Sequence, residues 1–290
     1  MFRNRKDIQL RDNVIPLSKH TCLMGVLNVT PDSFSDGGRF RETVLAVERA
    51  KIMRDQGAHI IDIGGESSRP GAESVPEEEE IKRVVPVIRE IKKNINIPLS
   101  VDTYKSGVAV EALKNGADMV NDITGLKGDP VMAEVIADFD AGVVLMHMKG
   151  TPGTMQEDPI YDDVIENIYQ YLLTAVNYAE KKGIDPEKII VDPGIGFGKT
   201  VEHNILILKN LNRFKELGKP VLIGTSRKSF IGKITGKEVG DRIFGTAASV
   251  AAAILNGADI VRIHDVSQML DVVKVIDAVK SEHRSDKEKG

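Results

Sequence analysis

The sequence predicts an α/β protein of the (β/α)8 TIM-barrel class, folded as a single domain, and two observations carry this prediction. Short runs rich in valine and isoleucine alternate with longer amphipathic runs rich in glutamate, lysine and alanine along the 290 residues. This alternation is typical of parallel strands joined by crossover helices. Eight such units can be counted. That number favours a closed barrel, and the open doubly wound sheet is the alternative that a count leaves standing.

The predicted strands are almost continuously apolar, which indicates that both faces of each strand are covered. They are Leu23–Asn28, Ile60–Gly64, Leu99–Asp102, Met119–Asp122, Val143–His147, Ile189–Asp192, Val221–Thr225 and Ile260–His264. The predicted helices are Arg41–Gln56, Pro76–Asn94, Ser106–Asn115, Pro130–Phe139, Tyr161–Lys182, Val201–Leu217, Asp241–Asn256 and Val266–Ser281. Since no linker interrupts the series, we expect a lead-in over residues 1–20, the barrel over residues 21–281 and a polar tail over residues 282–290.

A glycine-alanine pair recurs three times between a predicted helix and the next strand, beginning at Gly57, Gly116 and Gly257. Glycine at a helix end permits the left-handed conformation that terminates the helix. The pairs therefore mark helix ends, but they do not explain why the strands that follow them end in three different polar residues.

Composition excludes several classes of function. The formal net charge is −4, which makes general nucleic-acid binding a poor expectation. Cys22 is the single cysteine, so no intramolecular disulfide forms, in keeping with a reducing compartment. The first residues lack the apolar core of a signal peptide, and no apolar run in the sequence is long enough to span a bilayer. We therefore expect a cytoplasmic protein without membrane partners.

All eight predicted strands end in polar or charged residues. In chain order these are Asn28, Asp62, Asp102, Asn121 with Asp122, His147, Asp192, the run from Ser226 to Lys228, and Arg262 with His264. Solvated loops account for any one of them but poorly for the set. Barrel enzymes build their active sites at the carboxyl ends of the strands, so the set predicts an active site there.

Two groups of residues are expected to divide this site. Asp102 and Asp192 are carboxylates that need donors if they are buried, and a heterocycle with ring N–H and amino groups supplies them, with Asn121 both donating and accepting. Arg262 and His264 follow the last strand, beside the usual phosphate corner of the fold. Arg262 offers a planar fork for phosphate oxygens, and a salt bridge to a strand carboxylate is its alternative role.

The glycine-rich run after the sixth strand matches neither common nucleotide motif. A P-loop requires glycine where Pro193 stands, and a dinucleotide fingerprint requires glycine where Lys199 stands. The six histidines form no HExxH motif, and one cysteine gives little support for a structural zinc site. A serine nucleophile elbow is also absent from the sequence. The sequence is compatible with a weakly held Mg²⁺. Such an ion is bound mainly through a substrate diphosphate, and Asn28 is placed to provide the protein oxygen.

Seven segments resemble the dihydropteroate synthase family in order and position. They are MGVLNVTPDSFSDGG from Met24, IDIGGESSRPGAE from Ile61, SVDTYK from Ser100, VNDITG from Val120, DPGIGFGK from Asp192, GTSRKSFIG from Gly224 and RIHDV from Arg262. The resemblance covers Leu23 to Ile276 and implies a pterin-binding barrel. It also implies condensation of 6-hydroxymethyl-7,8-dihydropterin diphosphate with 4-aminobenzoate, giving 7,8-dihydropteroate and pyrophosphate.

The resemblance further implies roles for individual residues. Pterin binding falls to Asp102, Asn121, Met146, Asp192, Lys228 and Arg262. Diphosphate binding falls to Asn28, Arg262 and His264, with Mg²⁺ as the cofactor on Asn28. The 4-aminobenzoate pocket is formed by Phe34, Ser68, Pro70, Phe197, Lys228 and Ser229. Asp36, Asp102, Lys228 and Arg262 are the expected catalytic residues. A homodimer and susceptibility to sulfonamides are implied as well. Ser68 stands where the family commonly has threonine, and the serine retains the hydroxyl.

Three other interpretations compete with this one. A corrinoid-type pterin-dependent methyltransferase shares the barrel and the pterin carboxylates but needs neither a diphosphate corner nor an aminobenzoate pocket. A non-catalytic pterin-binding barrel is expected to have lost site residues, and none is lost here. A phosphosugar isomerase or aldolase requires a Schiff-base lysine or a Glu–His pair at the strand ends, where only Lys228 is available.

Overall fold

The computed structural model describes residues 5–30, 38–67, 71–72, 74–151, 153–155 and 159–281, apart from the side chains of residues 38–41. The chain begins with an antiparallel hairpin of β1 (Ile8–Gln9) and β2 (Val14–Ile15), which the sequence pattern does not predict. Eight parallel strands follow. They are β3 (Cys22–Asn28), β4 (Ile60–Gly64), β5 (Leu99–Asp102), β6 (Met119–Asp122), β7 (Gly142–Met146), β8 (Ile189–Asp192), β9 (Leu222–Ile223) and β10 (Ile260–Ile263).

The eight strands form a closed barrel. Neighbouring strands pair in parallel in the order β8-β7-β6-β5-β4-β3-β10-β9. A parallel bridge between Val191 and Val221 joins β8 to β9 and closes the ring. The predicted TIM-barrel class is confirmed, and the open doubly wound sheet is excluded because an open sheet leaves its two edge strands unpaired.

The helices surround the barrel. They are α1 (Gly38–Asp55), α2 (Glu77–Asn94), α3 (Ser106–Lys114), α4 (Met132–Asp138), α5 (Val164–Lys181), α6 (Val201–Lys209), α7 (Leu211–Phe214), α8 (Ser229–Thr235), α9 (Ile243–Leu255) and α10 (Val266–Lys280). The sequence predicts one helix where α6 and α7 divide at Asn210, and it does not predict the short helix α8. Across the described ranges, no helix combines the length and the apolar character needed to cross a membrane.

The seventh strand is shorter than predicted because its end turns away early. Only Leu222 and Ile223 form β9, whereas the apolar pattern extends to Thr225. Lys228 N donates to the Thr225 carbonyl oxygen at 3.1 Å, and Ser249 Oγ bonds Thr225 Oγ1 at 2.9 Å. These contacts commit Thr225 to the turn before α8, and the turn carries Lys228 towards the barrel mouth.

The amino end of the barrel is filled with apolar side chains, and the hairpin covers it. Every member of this cluster is less than 9% exposed. The members are Ile8, Leu10, Ile15, Leu17, Cys22, Met24, Ile60, Met119, Val144, Ile190, Leu222 and Ile260. Because side chains alternate along a strand, the inward positions two residues further on reach the opposite, carboxyl end of the barrel.

The residue after each glycine-alanine pair caps a backbone N–H group at the start of a neighbouring strand. Asp118 Oδ2 accepts from Leu99 N at 2.9 Å, and Asp259 Oδ2 accepts from Val221 N at 2.9 Å. His59 Nδ1 accepts from Leu23 N at 3.0 Å in the same way. The recurring pattern therefore ends a helix and also supplies an acceptor for a buried amide at the amino end of the barrel.

Candidate active site

Seven of the predicted site residues surround one pocket at the carboxyl end of the barrel. They are Asp102, Asn121, Met146, Asp192, Phe197, Lys228 and Arg262. Several stand two positions beyond apolar residues of the barrel floor, as Asn121 does beyond Met119 and Arg262 beyond Ile260. The alternation of the strands thus separates an apolar floor from a polar mouth inside the same barrel.

Arg262 joins two carboxylates across the mouth. Its Nε lies 2.6 Å from Asp62 Oδ2, and its Nη2 lies 2.7 Å from Asp102 Oδ2. Asp62 Oδ2 also accepts from Asn121 Nδ2 at 3.0 Å. The salt bridge named above as the alternative for Arg262 is therefore present, and it fixes the plane of the guanidinium. Because a carboxylate only accepts, Asn121 turns its amide nitrogen to Asp62 and keeps its oxygen available as an acceptor.

Burial shifts the pKa values of three groups that line the pocket, Asp102, Asp192 and Lys228, towards neutrality. Burial raises the pKa of Asp102 to about 7, against the opposing charge of Arg262. It raises the pKa of Asp192 to about 6, although Gly194 N donates to Asp192 Oδ1 at 2.7 Å. Burial and the charge of Arg262 lower the pKa of Lys228 to about 8. Such a cluster of shifted groups in a cleft is typical of a functional site.

One wall of the pocket is flat and apolar. Phe197 and Met146 pack with Ile123 in a small buried cluster. The Lys228 ammonium lies 4.1 Å from the centroid of the Phe197 ring, a cation–π distance. Ser229, the first residue of α8, is exposed beside Lys228. A planar ligand can therefore stack on this wall while its polar edge meets the carboxylates.

The other predicted residues, Asn28 and His264, line a neighbouring cavity together with Arg227. Ser226 Oγ lies 3.2 Å from His264 N and 2.9 Å from His264 Nδ1. Burial and the charge of Arg262 lower the pKa of His264 to about 4, so the imidazole is neutral. We assign its proton to Nε2, because a Ser226 hydroxyl that accepts from the amide has its own hydrogen free for Nδ1.

Asn28 meets the requirements of a weak magnesium site only in part. It ends β3, and a Cβ atom placed on Gly64 would lie 3.7 Å from Asn28 Oδ1 and 3.8 Å from Asp102 Oδ2. The protein thus provides one neutral oxygen next to a carboxylate that Arg262 already engages. This set fits Mg²⁺ only if substrate oxygens and waters complete the octahedron.

Four predicted residues, Phe34, Asp36, Ser68 and Pro70, lie outside the residues that the structure describes. Four other residues act in the site without a role assigned from sequence. Asp62 and His147 stand out as strand ends, and the structure gives them contacts that no short motif encodes. Ser226 and Lys199 belong to family segments but are given no role of their own, and Lys199 is also the residue that breaks a dinucleotide fingerprint.

The structure brings together two histidines that are separated by 39 positions in the sequence. Nε2 of His20 lies 2.6 Å from Nε2 of His59, with buried Cys22 adjacent. Nδ1 of His59 accepts from Leu23 N, so a neutral His59 carries its proton on Nε2 and donates it to His20. That tautomer gives His59 no lone pair for a metal at Nε2. The cluster is a hydrogen-bonded contact of the barrel floor.

The closed (β/α)8 barrel, with two carboxylates and an amide around a flat apolar wall, defines the chain as a pterin-binding enzyme. The family model described as pterin binding enzyme matches residues 24–264. The dihydropteroate synthase of Synechocystis sp. is 50% identical over 262 residues, which cover 90% of this chain and 91% of that protein. This chain belongs to the dihydropteroate synthase family.

Solved structures support the same assignment. The Yersinia pestis dihydropteroate synthase in complex with a sulfonamide drug is 39% identical and superimposes with a TM-score of 0.90, covering 96% of this chain and 100% of that one. The Xanthomonas albilineans dihydropteroate synthase with 4-aminobenzoic acid is 41% identical with a TM-score of 0.89, again covering 96% and 100%.

Proposed function

We propose that the chain condenses 6-hydroxymethyl-7,8-dihydropterin diphosphate with 4-aminobenzoate to give 7,8-dihydropteroate and pyrophosphate, as a transferase of folate synthesis. The observation that carries this proposal is the divided mouth of the barrel. A pocket with two carboxylates, an amide and a flat wall is accompanied by a second cavity, which is lined by neutral His264, Asn28 and Arg227. Arg227 is paired with Asp265, and α1 also lines this cavity with Glu48, Arg49 and apolar side chains. The first part suits a pterin, and the second suits a diphosphate.

The pterin binds with its polar edge towards Asp102, Asn121 and Asp192. Its ring N–H and amino groups donate to the two carboxylates, and the oxygen of Asn121 accepts from the same edge. Met146 supports the face of the ring, while Lys228 and Arg262 border it. Each carboxylate must be ionised to accept two hydrogen bonds, so the ligand provides the compensation that burial otherwise denies them.

The diphosphate extends towards Asn28 and His264. The Nε2 proton of His264 donates to a phosphate oxygen without adding a charge, and Arg262 contributes its guanidinium from the junction between the two parts. Asn28 would hold Mg²⁺ through its side-chain oxygen, and the ion would supply positive charge against the negative charge of the leaving group. Together these groups stabilise the anion that accumulates as the diphosphate departs.

The aminobenzoate approaches over Phe197, Lys228 and Ser229. The roles of Phe34, Ser68 and Pro70 in this pocket come from the family resemblance alone. The carbon–oxygen bond of the pterin methylene breaks, and its electron pair leaves with the pyrophosphate. The amine nitrogen forms the new bond to that carbon and loses one proton. Since an arylamine is a weak nucleophile, we expect an early-leaving route in which Asp102, and Asp36 by resemblance, stabilise the cation.

A second copy of the chain completes the proposed assembly. Phe244 of α9 is 85% exposed, while Val275 and Val279 of the adjacent α10 are 60% and 68% exposed. Exposed apolar side chains on two neighbouring helices offer surface for a protein interface, which supports a homodimer. We also propose that the protein is cytoplasmic, which a single cysteine without an intramolecular disulfide partner supports.

A pyrophosphate-release assay with both substrates tests the reaction. We expect one pyrophosphate for each 7,8-dihydropteroate formed, and no release when either substrate is omitted. Sulfonamides are expected to compete with 4-aminobenzoate. A pterin-binding protein without catalysis would bind the pterin in calorimetry and release no pyrophosphate, and a corrinoid-type methyltransferase would accept no 4-aminobenzoate. Either result from folded protein contradicts the proposal.

A further inference from the structure

A buried lysine lies directly behind the pterin pocket. Lys199 is 3% exposed. Its ammonium donates to the Phe197 carbonyl oxygen at 2.8 Å and bonds Nδ1 of His147 at 3.0 Å. The carbonyl oxygen of His147 lies at 3.4 Å. One cation therefore holds the end of the glycine-rich loop after β8 against the residue that follows β7.

The two segments meet through bare backbone. Gly194 has φ +70°, and a Cβ atom there would lie 2.0 Å from the His147 carbonyl oxygen. Gly198 has φ +66°, and a Cβ atom there would lie 2.5 Å from the Lys149 carbonyl oxygen. Only glycine allows this approach. The Lys199 ammonium bridges the same two segments, because it lies within reach of the Phe197 carbonyl oxygen on one side and the His147 carbonyl oxygen on the other.

Lys199 influences Asp192, one of the carboxylates proposed to bind the pterin, in two ways. His147 N donates to the Asp192 carbonyl oxygen at 2.9 Å, so the backbone of Asp192 is tied to the residue that Lys199 holds. The positive charge of Lys199 also lowers the pKa of Asp192. Lys228 and Arg262 act on Asp192 in the same direction from the other side of the pocket.

The charge of Lys199 itself depends on its surroundings. Burial lowers the pKa of Lys199 to about 7, Asp192 opposes that shift and Lys228 adds to it. His147 contributes no charge, because burial and Lys199 keep its pKa near 2. Lys127 and Lys149 are the other cations that face His147. The Lys199 ammonium and the Asp192 carboxylate therefore each favour the charged form of the other.

We propose that Lys199 is a positioning residue for the pterin, which docks the glycine-rich loop against the end of β7 and keeps Asp192 ionised as the acceptor of the pterin edge. This inference rests on the proposed function, since it requires that a pterin binds at Asp192. Lys199 does not line the pocket and makes no contact with the reacting atoms. Its effect is expected in pterin affinity and in the pH dependence of that affinity.

The experiment compares Lys199→Met, Lys199→Gln and Lys199→Arg with Lys219→Met as the matched control. Lys219 is another buried lysine, 9% exposed, that bonds Glu180 Oε1 at 2.6 Å and the Pro186 carbonyl oxygen at 2.8 Å. Affinity for 6-hydroxymethyl-7,8-dihydropterin is measured by calorimetry between about pH 5 and about pH 9, a range that spans the titration of Asp192 and Lys199.

We expect Lys199→Met to weaken pterin binding by up to about tenfold at pH values below the titration of Asp192, the full effect of a shift of one pKa unit, and by a smaller factor near neutral pH. The pH below which affinity falls should move upward, and KM for the pterin diphosphate should rise more than kcat falls. Lys199→Arg should restore most of the affinity, and Lys219→Met should leave it unchanged. Lys199→Gln retains hydrogen-bond donors without the charge, so it should show the same upward shift in the pH profile. This variant tests the role of the charge if Lys199→Met does not fold.

Wild-type affinity and an unshifted pH profile in the folded methionine or glutamine variant would overturn the inference. An equal loss in Lys219→Met would also overturn it, since the effect would then belong to any buried lysine. If the wild-type protein binds no pterin, the proposed function fails first. That outcome is visible without any variant.

Discussion

The two ends of this barrel use the same side chain, a buried aspartate, in different ways. At the amino end, Asp118 and Asp259 accept from the backbone N–H groups of Leu99 and Val221. A cation lies beside each of them, Lys92 Nζ at 3.6 Å from Asp118 and Arg5 Nε at 3.2 Å from Asp259. At the carboxyl end, Asp102 is paired with the side chain of Arg262, and burial raises its pKa. Carboxylates at the floor complete the hydrogen bonding of the fold. Those at the mouth are left with charge that the fold compensates only in part.

The buried polar groups at the floor stabilise the fold, whereas those at the mouth are kept for binding a ligand at some cost in stability. Nδ2 of Asn13, in the hairpin, donates to both oxygens of Asp118 at 3.2 and 3.1 Å, which ties the hairpin to the floor. At the mouth, one oxygen of fully buried Asp62 has no hydrogen-bond partner among the described residues. Imperfectly satisfied groups of this kind are tolerated mainly where a ligand gains from them. The floor is therefore expected to respond to substitution in stability, and the mouth in affinity.

The largest expected effect is that of Asp192→Asn at the mouth. The amide has only one acceptor oxygen and no charge, so pterin affinity should fall about 100-fold, the equivalent of losing one or two charged hydrogen bonds. The free energy of unfolding should change little. Burial raises the pKa of Asp192, so the charge of this carboxylate does not stabilise the folded protein. Calorimetry with the pterin and denaturant unfolding measure the two quantities. Unchanged affinity would remove Asp192 from the site.

Asp118→Asn is the counterpart at the floor, with a somewhat smaller expected effect of the opposite kind. The new amide nitrogen accepts no hydrogen bond, so one of the two acceptor atoms that Asn13 Nδ2 and Leu99 N now use is lost. The negative charge that faces Lys92 is lost with it. We expect the free energy of unfolding to fall by about 2 kcal/mol, with unchanged pterin affinity. The comparison between the two ends breaks down if this variant loses affinity while its stability is retained.

The smallest effect is expected for His59, which occupies, in the first of the three repeats, the position that Asp118 and Asp259 occupy in the other two. His59→Ala removes the acceptor for Leu23 N, but the half-buried site admits water. The free energy of unfolding should fall by about 1 kcal/mol, and His59→Asp should recover part of that loss by reproducing the arrangement at Asp118 and Asp259. Thermal and denaturant unfolding test this ranking, and full stability in His59→Ala would contradict the capping role.

Much of the fold follows from local sequence, because strand periodicity and helix caps are local signals. The strands at Ile60–Gly64 and Ile189–Asp192 begin and end where the sequence predicts. The hairpin of β1 and β2 is missed, since two-residue strands have no periodicity to detect. It becomes visible only through the floor that it covers.

The sequence predicts which residues form the site, but it does not predict which of their side chains contact each other. Strand ends and family segments identify Asp102 and Arg262, yet 160 positions separate them in the chain, and only closure of the barrel brings their side chains together. The same holds for Lys199 and His147, which are 52 positions apart. Pairings of this kind depend on the register of strands that are distant in sequence.

The division of the mouth is tested most directly by comparing two ligands, 6-hydroxymethyl-7,8-dihydropterin and its diphosphate, in calorimetry with the wild type, Asp192→Asn and His264→Ala. Asp192→Asn is predicted to weaken both ligands by the same factor. His264→Ala is predicted to weaken the diphosphate about tenfold, the effect of one lost hydrogen bond to a charged group, and to leave the free pterin unchanged. Equal losses for both ligands in His264→Ala would contradict a separate diphosphate corner, and with it the account of how this barrel divides its two tasks.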